Sequence, residues 1–195
     1  MLSVVIATEN AERILVPTLA ALVSGATAGM VREVIIADAG SSDATPLIAD
    51  AAGCRLEVTQ ATLGERLRRA ALSARASWLL FLQPGAVPDW TWCEETRRFV
   101  ERTELSGRAA TRAAVFRRTG DAETLGAGVV EGLGFVAARL GALPRPQQGL
   151  LIAKALYERC GGHCGEDAEP EKGFLRRVGR RRIVLLRTRT MMAQG

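Results

Sequence analysis

The sequence predicts an α/β fold with a mostly parallel central sheet and helices on both faces, and three observations carry that expectation. Strand-length and helix-length segments alternate through the first half of the chain. Apolar runs such as Val34-Ile35-Ile36-Ala37 show no inside-outside alternation, as suits parallel strands covered on both faces. The segment 33–45 then reads as a buried strand that ends in a carboxylate, Asp38, and turns through Gly40, Ser41 and Ser42 into a helix.

Taken in order, residues 2–8 form a first strand, and 12–24 carry helical spacing at Ile14, Leu15, Leu19, Leu22 and Val23 before a small-residue loop. Residues 33–38 are the second strand, with a helix at 45–52. A third strand covers 55–59, a helix 64–74, and a fourth strand, Trp78-Leu79-Leu80-Phe81-Leu82, follows. This half is Rossmann-like, with right-handed crossovers joining parallel strands. Beyond Pro88 the pattern loosens. Residues 91–104 read as a helix, 108–118 as extended chain, and 124–140 as a glycine-interrupted amphipathic helix stopped by Pro144 and Pro146. Segment 149–153 reads as a strand, 155–160 and 171–178 as helices, and 182–186 as a last strand. No linker or repeat divides the chain, so the second half extends the same sheet.

A chain of 195 residues can bury roughly 70% of its unfolded surface in one core, so it is expected to fold alone without staples. No apolar run approaches the roughly 20 residues of a membrane-spanning helix, and the chain enters its first strand at once, which reads as cytoplasmic. The net charge is +5, and of the cations only Lys154 and Lys172 are lysines. Arginine suits bidentate contact with phosphate, so anionic substrates or lipid head groups fit the charge, as does an arginine-rich composition without function. The cluster Arg176, Arg177, Arg180, Arg181 and Arg182 lacks the interleaved aromatics of a nucleic-acid surface and reads as solvated charge or a peripheral contact with the inner face of a membrane.

Two segments could carry other chemistry. Cys160-Gly161-Gly162-His163-Cys164 offers three metal ligands at spacings unlike the common zinc pairs, so the four cysteines read as reduced, partly buried thiols. Asp38 falls where open α/β sheets bind ligands, beyond the carboxyl end of a strand, and can accept hydrogen bonds from a base N–H or a ribose hydroxyl. Asp43 reads as the helix N-cap.

Four segments together resemble one family: Ser3 to Asn10, the run from Asp38 to Thr45, residues 78–82, and Gln148-Gly149-Leu150 followed by Gly161-Gly162 and Glu166-Asp167. The chain resembles the family 2 glycosyltransferases of the GT-A fold, in particular their short, soluble bacterial members. The resemblance implies a single domain over residues 1–195, with a nucleotide-sugar half at 1–90 and an acceptor half at 91–195. It further implies transfer of a sugar, with inversion, from a UDP- or GDP-linked donor to a sugar or lipid-linked acceptor. By the same resemblance Thr8, Asn10 and Asp38 hold the nucleoside, Gln148 lines the acceptor side, and Asp167, positioned with Glu166, takes the acceptor proton.

The departure lies after the fourth strand. Relatives carry an Asp-x-Asp or similar acidic motif there for Mg²⁺ or Mn²⁺; this chain has Gln83-Pro84-Gly85, so the usual acidic ligand is missing and glutamine offers only a neutral carbonyl. Two readings follow. In one, the leaving diphosphate is neutralised by arginines at the start of the helix from Gly64, Arg66, Arg68 and Arg69, where the helix dipole also favours anions. In the other, a degenerate transferase-like protein binds a nucleotide, a glycan or a partner without catalysis.

Overall fold

The computed structural model describes residues 2–119 and 144–193, so the helix expected at 124–140 lies outside the described residues. In chain order the first half comprises β1 (Leu2–Thr8), α1 (Glu12–Thr27), β2 (Val31–Asp38), α2 (Thr45–Ala51), β3 (Arg55–Val58), α3 (Leu63–Ser73) and β4 (Trp78–Leu82). The second half comprises β5 (Ala86–Pro88), α4 (Trp92–Leu105), β6 (Ala113–Arg118), β7 (Leu150–Ala153), α5 (Lys154–Arg159), α6 (Pro170–Val178) and β8 (Ile183–Met192).

The strands make one sheet in the order β3-β2-β1-β4-β7-β6-β8-β5. β1 lies in parallel between β2 and β4, with Val5 opposite both Ile35 and Phe81. Its side chains from Leu2 to Ile6 are buried, as a strand covered on both faces requires. The chain winds outward from β1 to β2 to β3 and then returns to the other side of β1 for β4. With right-handed crossovers that reversal puts α3 on the face opposite α1 and α2, and it opens a crevice between the carboxyl ends of β1 and β4.

Beyond β4 the sheet is mixed rather than a parallel extension. β7 runs antiparallel to both β4 and β6, β8 is parallel to β6, and β5 is antiparallel to β8. The expected last strand is longer than its apolar part, because Arg187 and Arg189 alternate outward with buried Thr188 and Thr190. The three-residue β5 was not expected, and the extended chain expected at 108–118 is a strand only from Ala113.

The core is built on β1, β2, β4, β6 and β7 and closed by Trp78, Trp92, Tyr157, Phe116 and Phe174, each 1% exposed or less. Trp78 donates its indole N–H to Glu104 at 2.8 Å and Trp92 donates its own to the Ala21 carbonyl at 2.9 Å, so neither buries an unpaired donor. Trp92 lies so close to α1 that a Cβ on Gly25 would fall 2.4 Å from its ring, which reserves that position for glycine. No helix among the described residues is long and apolar enough to cross a membrane.

Candidate functional site at the β1–β4 crevice

The loops after β1 and β2 are laced together at the edge of the crevice. Asp38 is 0% exposed and receives four hydrogen bonds. Thr8 and Ser41 donate hydroxyls to Oδ1 at 2.7 and 2.6 Å, while the Gly40 and Ser41 backbone N–H groups donate to Oδ2 at 2.9 and 2.6 Å. Burial alone would raise the pKa of this carboxyl; the bonds from Ser41, Thr8 and Gly40 outweigh it and hold the group below its ordinary value. Gly40 has φ +93°, which lets its N–H turn back to the carboxylate. Asn10, at φ 47°, accepts the Ser42 N–H on its side chain at 2.9 Å and donates its own N–H to Ser41 Oγ at 2.8 Å.

Asp43 acts one residue earlier than an N-cap, whose place falls to Ala44. Its carboxylate accepts the Thr45 N–H at 2.9 Å and the Glu12 N–H at 3.0 Å, capping the starts of α2 and α1 together.

The arginines of α3 diverge. Arg66 is 6% exposed and donates Nη1 to the carbonyls of Thr8 at 2.7 Å and Ala37 at 2.9 Å, under the ends of β1 and β2, while its Nε is buried without a partner. Arg68 and Arg69 are exposed. The helix begins with a capping box, in which Thr62 and Glu65 satisfy each other's backbone N–H. Gly64, next in line, meets the loop before α6 backbone to backbone: a Cβ there would fall 2.0 Å from the Cys164 carbonyl oxygen. Gly64→Ala must therefore push that loop away, at about 1–3 kcal/mol. The expected outcome is a lower urea midpoint together with weaker nucleotide binding, measured on the same preparation.

That loop carries the remaining candidates. His163 is 2% exposed, ringed by Phe81, Tyr157 and Phe174 with centroids 4.9, 5.5 and 4.7 Å away. The Tyr157 hydroxyl accepts the His163 backbone N–H at 3.0 Å and shares a second hydrogen bond with the ring Nδ1, also at 3.0 Å. Burial first, and the charge of Arg177 second, push this imidazole down to about 3. Asp167 accepts from Arg177 Nη1 at 3.0 Å and lies against Gly173, while Glu166 is exposed. Arg177 also donates Nη2 to the Gly162 carbonyl at 2.7 Å, tying the loop to α6. Gln148, expected on the acceptor side, is buried: its amide donates to the Phe116 carbonyl at 2.8 Å and accepts the Arg145 N–H at 2.7 Å, holding the turn before β7.

Sequence reasoning missed Glu171. At the carboxyl end of β4, Gln83 Nε2 donates to Glu171 Oε2 at 2.9 Å, across 88 residues of chain. No local pattern could have announced a contact that only the docking of α6 creates. Burial pushes the Glu171 carboxyl up, against the opposing bond from Gln83.

A divalent cation, implied by the family resemblance, wants several hard oxygen donors. Gln83 has turned its amide to Glu171, Gly85 has no side chain, and Asp89 accepts the backbone N–H groups of Thr91 and Arg189 at 2.8 Å each. Among the described residues no three His, Cys, Asp or Glu side chains are grouped to hold a metal. The donor set at this end of β4 does not fit the cation.

The strand order and the crevice at its reversal are those of the GT-A fold. Among solved structures, residues 1–349 of TarS from S. aureus match with a TM-score of 0.70 and 15% identity, covering 98% of this chain and 60% of that one. Its complex with UDP-GlcNAc matches at 0.69 and 16%, covering 100% and 59%. Glucosyl-3-phosphoglycerate synthase from Mycobacterium tuberculosis, in complex with phosphoglyceric acid, matches at 0.70 and 18%, covering 100% and 72%. The chain thus spans 60% of the length of that TarS fragment. No protein-family model matches the sequence, and no curated protein matches it.

Proposed function

We propose that the chain binds a nucleoside diphosphate sugar at the β1–β4 crevice and transfers the sugar, with inversion, to an acceptor hydroxyl. The observation that carries this reading is the Thr8–Asp38 hydrogen bond of 2.7 Å, which joins the ends of β1 and β2 beside the reversal point of the sheet. Thr8, Asn10 and the Asp38 loop take the nucleoside. Arg66, with a buried and unpaired Nε, and exposed Arg68 supply positive charge to the diphosphate in place of a metal. UDP is the first probe, because TarS and glucosyl-3-phosphoglycerate synthase have both been solved with UDP.

Calorimetric titration with UDP, in EDTA and again in Mn²⁺, tests the reading. UDP is expected to bind with nearly the same Kd in both; near saturation, at about 100 times Kd, it stabilises the fold by about 2.7 kcal/mol. Absence of binding in both buffers overturns the donor site. Binding lost in EDTA and regained with Mn²⁺ overturns its metal independence.

A binding protein without transfer is the second reading, favoured by Gln83, a neutral amide where the resembling family has acidic residues. It predicts UDP-sugar binding with no release of UDP in the presence of any hydroxyl acceptor.

A further inference from the structure

Two carboxylates lie in the segment around the start of α6, each with one oxygen bonded, Asp167 to a guanidinium and Glu171 to a neutral amide. Asp167 has Oδ2 committed to an ion pair with Arg177 at 3.0 Å, its counter-charge in this loop. Glu171 has Oε2 anchored by Gln83 and makes no other hydrogen bond among the described residues, which leaves Oε1 available. It lines a cavity of about 20 Å³ with Phe81, Arg145, Gly149, His163 and Leu175. That volume holds one hydroxyl-sized group.

We propose that Glu171, rather than Asp167, takes the proton from the acceptor hydroxyl, and that this cavity seats the hydroxyl. The inference rests on the transfer reaction proposed above. The hydroxyl oxygen bonds to the anomeric carbon as the bond from that carbon to the diphosphate oxygen breaks. The electron pair leaves with the nucleoside diphosphate, and the hydroxyl proton goes to Glu171 Oε1.

The position suits the task, because Gln83 follows β4 directly. Adjacent parallel strands lie about 4.8 Å apart, so the backbone at Gln83, whose side chain holds the carboxylate, stands about one strand from the end of β1. Burial in a mostly apolar wall also raises its proton affinity towards working pH, which strengthens a general base. Arg145 from the turn before β7 and His163 from the loop before α6 are the other ionisable groups lining the cavity, and His163 is neutral there.

The test uses the full chain with UDP-glucose as donor and glycerol as hydroxyl probe, following UDP release across pH. Glu171→Gln keeps the bond from Gln83, so it is expected to fold, to leave the UDP-glucose KM within about twofold, and to lower kcat by about 10²-fold or more with loss of the acidic limb of the pH profile. Asp167→Asn is expected to lower kcat less than about tenfold. The reverse pattern overturns the proposal.

A second arm needs no turnover. With carboxyl-labelled glutamate and aspartate, glycerol added to the UDP-bound chain is expected to move the Glu171 resonance and its titration midpoint, and not those of Asp167. Glu171 unmoved while UDP is bound overturns this inference alone. UDP that does not bind at all overturns the donor reading instead.

Discussion

Replacing Asp38 by alanine is expected to destabilise the fold by about 3 kcal/mol and to weaken UDP binding by at least about 10²-fold. The carboxylate is fully buried and receives four donors, from Thr8, Gly40 and twice from Ser41. Alanine removes every acceptor at once and leaves those donors facing one another. Two of them are backbone N–H groups that no side-chain rotation can redirect, each costing about 1–3 kcal/mol when unpaired and shielded from water.

The loop these bonds shape also holds Ser42 against Asn10, so the damage spreads to both walls of the nucleoside site. Asp38→Asn separates geometry from charge. Its amide oxygen can keep the Gly40 and Ser41 N–H bonds, whereas its NH₂ cannot accept from the Thr8 and Ser41 hydroxyls, so roughly half of the stability loss is expected. Because the folded carboxyl is held below its ordinary value, its contribution is complete above that value and disappears as pH falls through the folded pKa. Urea midpoints and UDP calorimetry on both variants check this. An alanine variant as stable as the parent, binding UDP equally well, would refute the assignment of Asp38 as organiser of the site.

What could be read from the sequence follows the range of the forces involved. β4 is an uninterrupted apolar run, as are the stretches 4–7 of β1 and 34–37 of β2, and β4 lies where it was expected because burial on both faces leaves no other use for Trp78 to Leu82. Thr62 and Glu65 form the capping box at the start of α3, a three-residue spacing that the reading of a helix from Gly64 did not use. β5 is invisible in the sequence because three residues become a strand only by pairing with β8. The carboxyl half of β8 was not expected, since its alternation is of arginine with threonine rather than polar with apolar.

The same division holds at the site. The position of Asp38 at the end of a strand was legible, but its four internal bonds were not, because one donor comes from Thr8, 30 residues away. The Glu166-Asp167 pair was conspicuous as a motif, yet only the structure shows that Asp167 faces a guanidinium and Glu171 a neutral amide beside a cavity. Both depend on how α6 docks, a tertiary outcome that residue spacing does not contain.

Acidification is expected to destabilise the protein strongly through His163, beginning near its ordinary pKa. Burial in the Phe81, Tyr157 and Phe174 cage, aided by Arg177 and opposed by Asp167, pushes the imidazole from 6.5 down to about 3. Between those values the unfolded chain binds a proton that the folded chain does not. Stability is therefore unaffected by this group above about pH 6.5 and falls as pH drops, by about 1.4 kcal/mol per pH unit. The loss reaches the order of 4 kcal/mol by the folded pKa, a large share of the 5–15 kcal/mol typical of a domain.

Other groups act elsewhere or in the opposite sense. Asp38, Asp43, Asp89 and Glu33 are all held below their ordinary values, so they withdraw stability only in more acidic solution. Glu171 is pushed up, so its protonation favours the folded state as pH falls and opposes His163. His163→Phe keeps an aromatic ring in the cage, and the Tyr157 hydroxyl still accepts the backbone N–H of residue 163. That variant is expected to lose the slope of urea midpoint against pH between about 6.5 and 4.5, and Glu171→Gln to steepen it. A parent protein whose midpoint is flat over that interval, or a His163→Phe variant that retains the full slope, would contradict a neutral buried imidazole at this position.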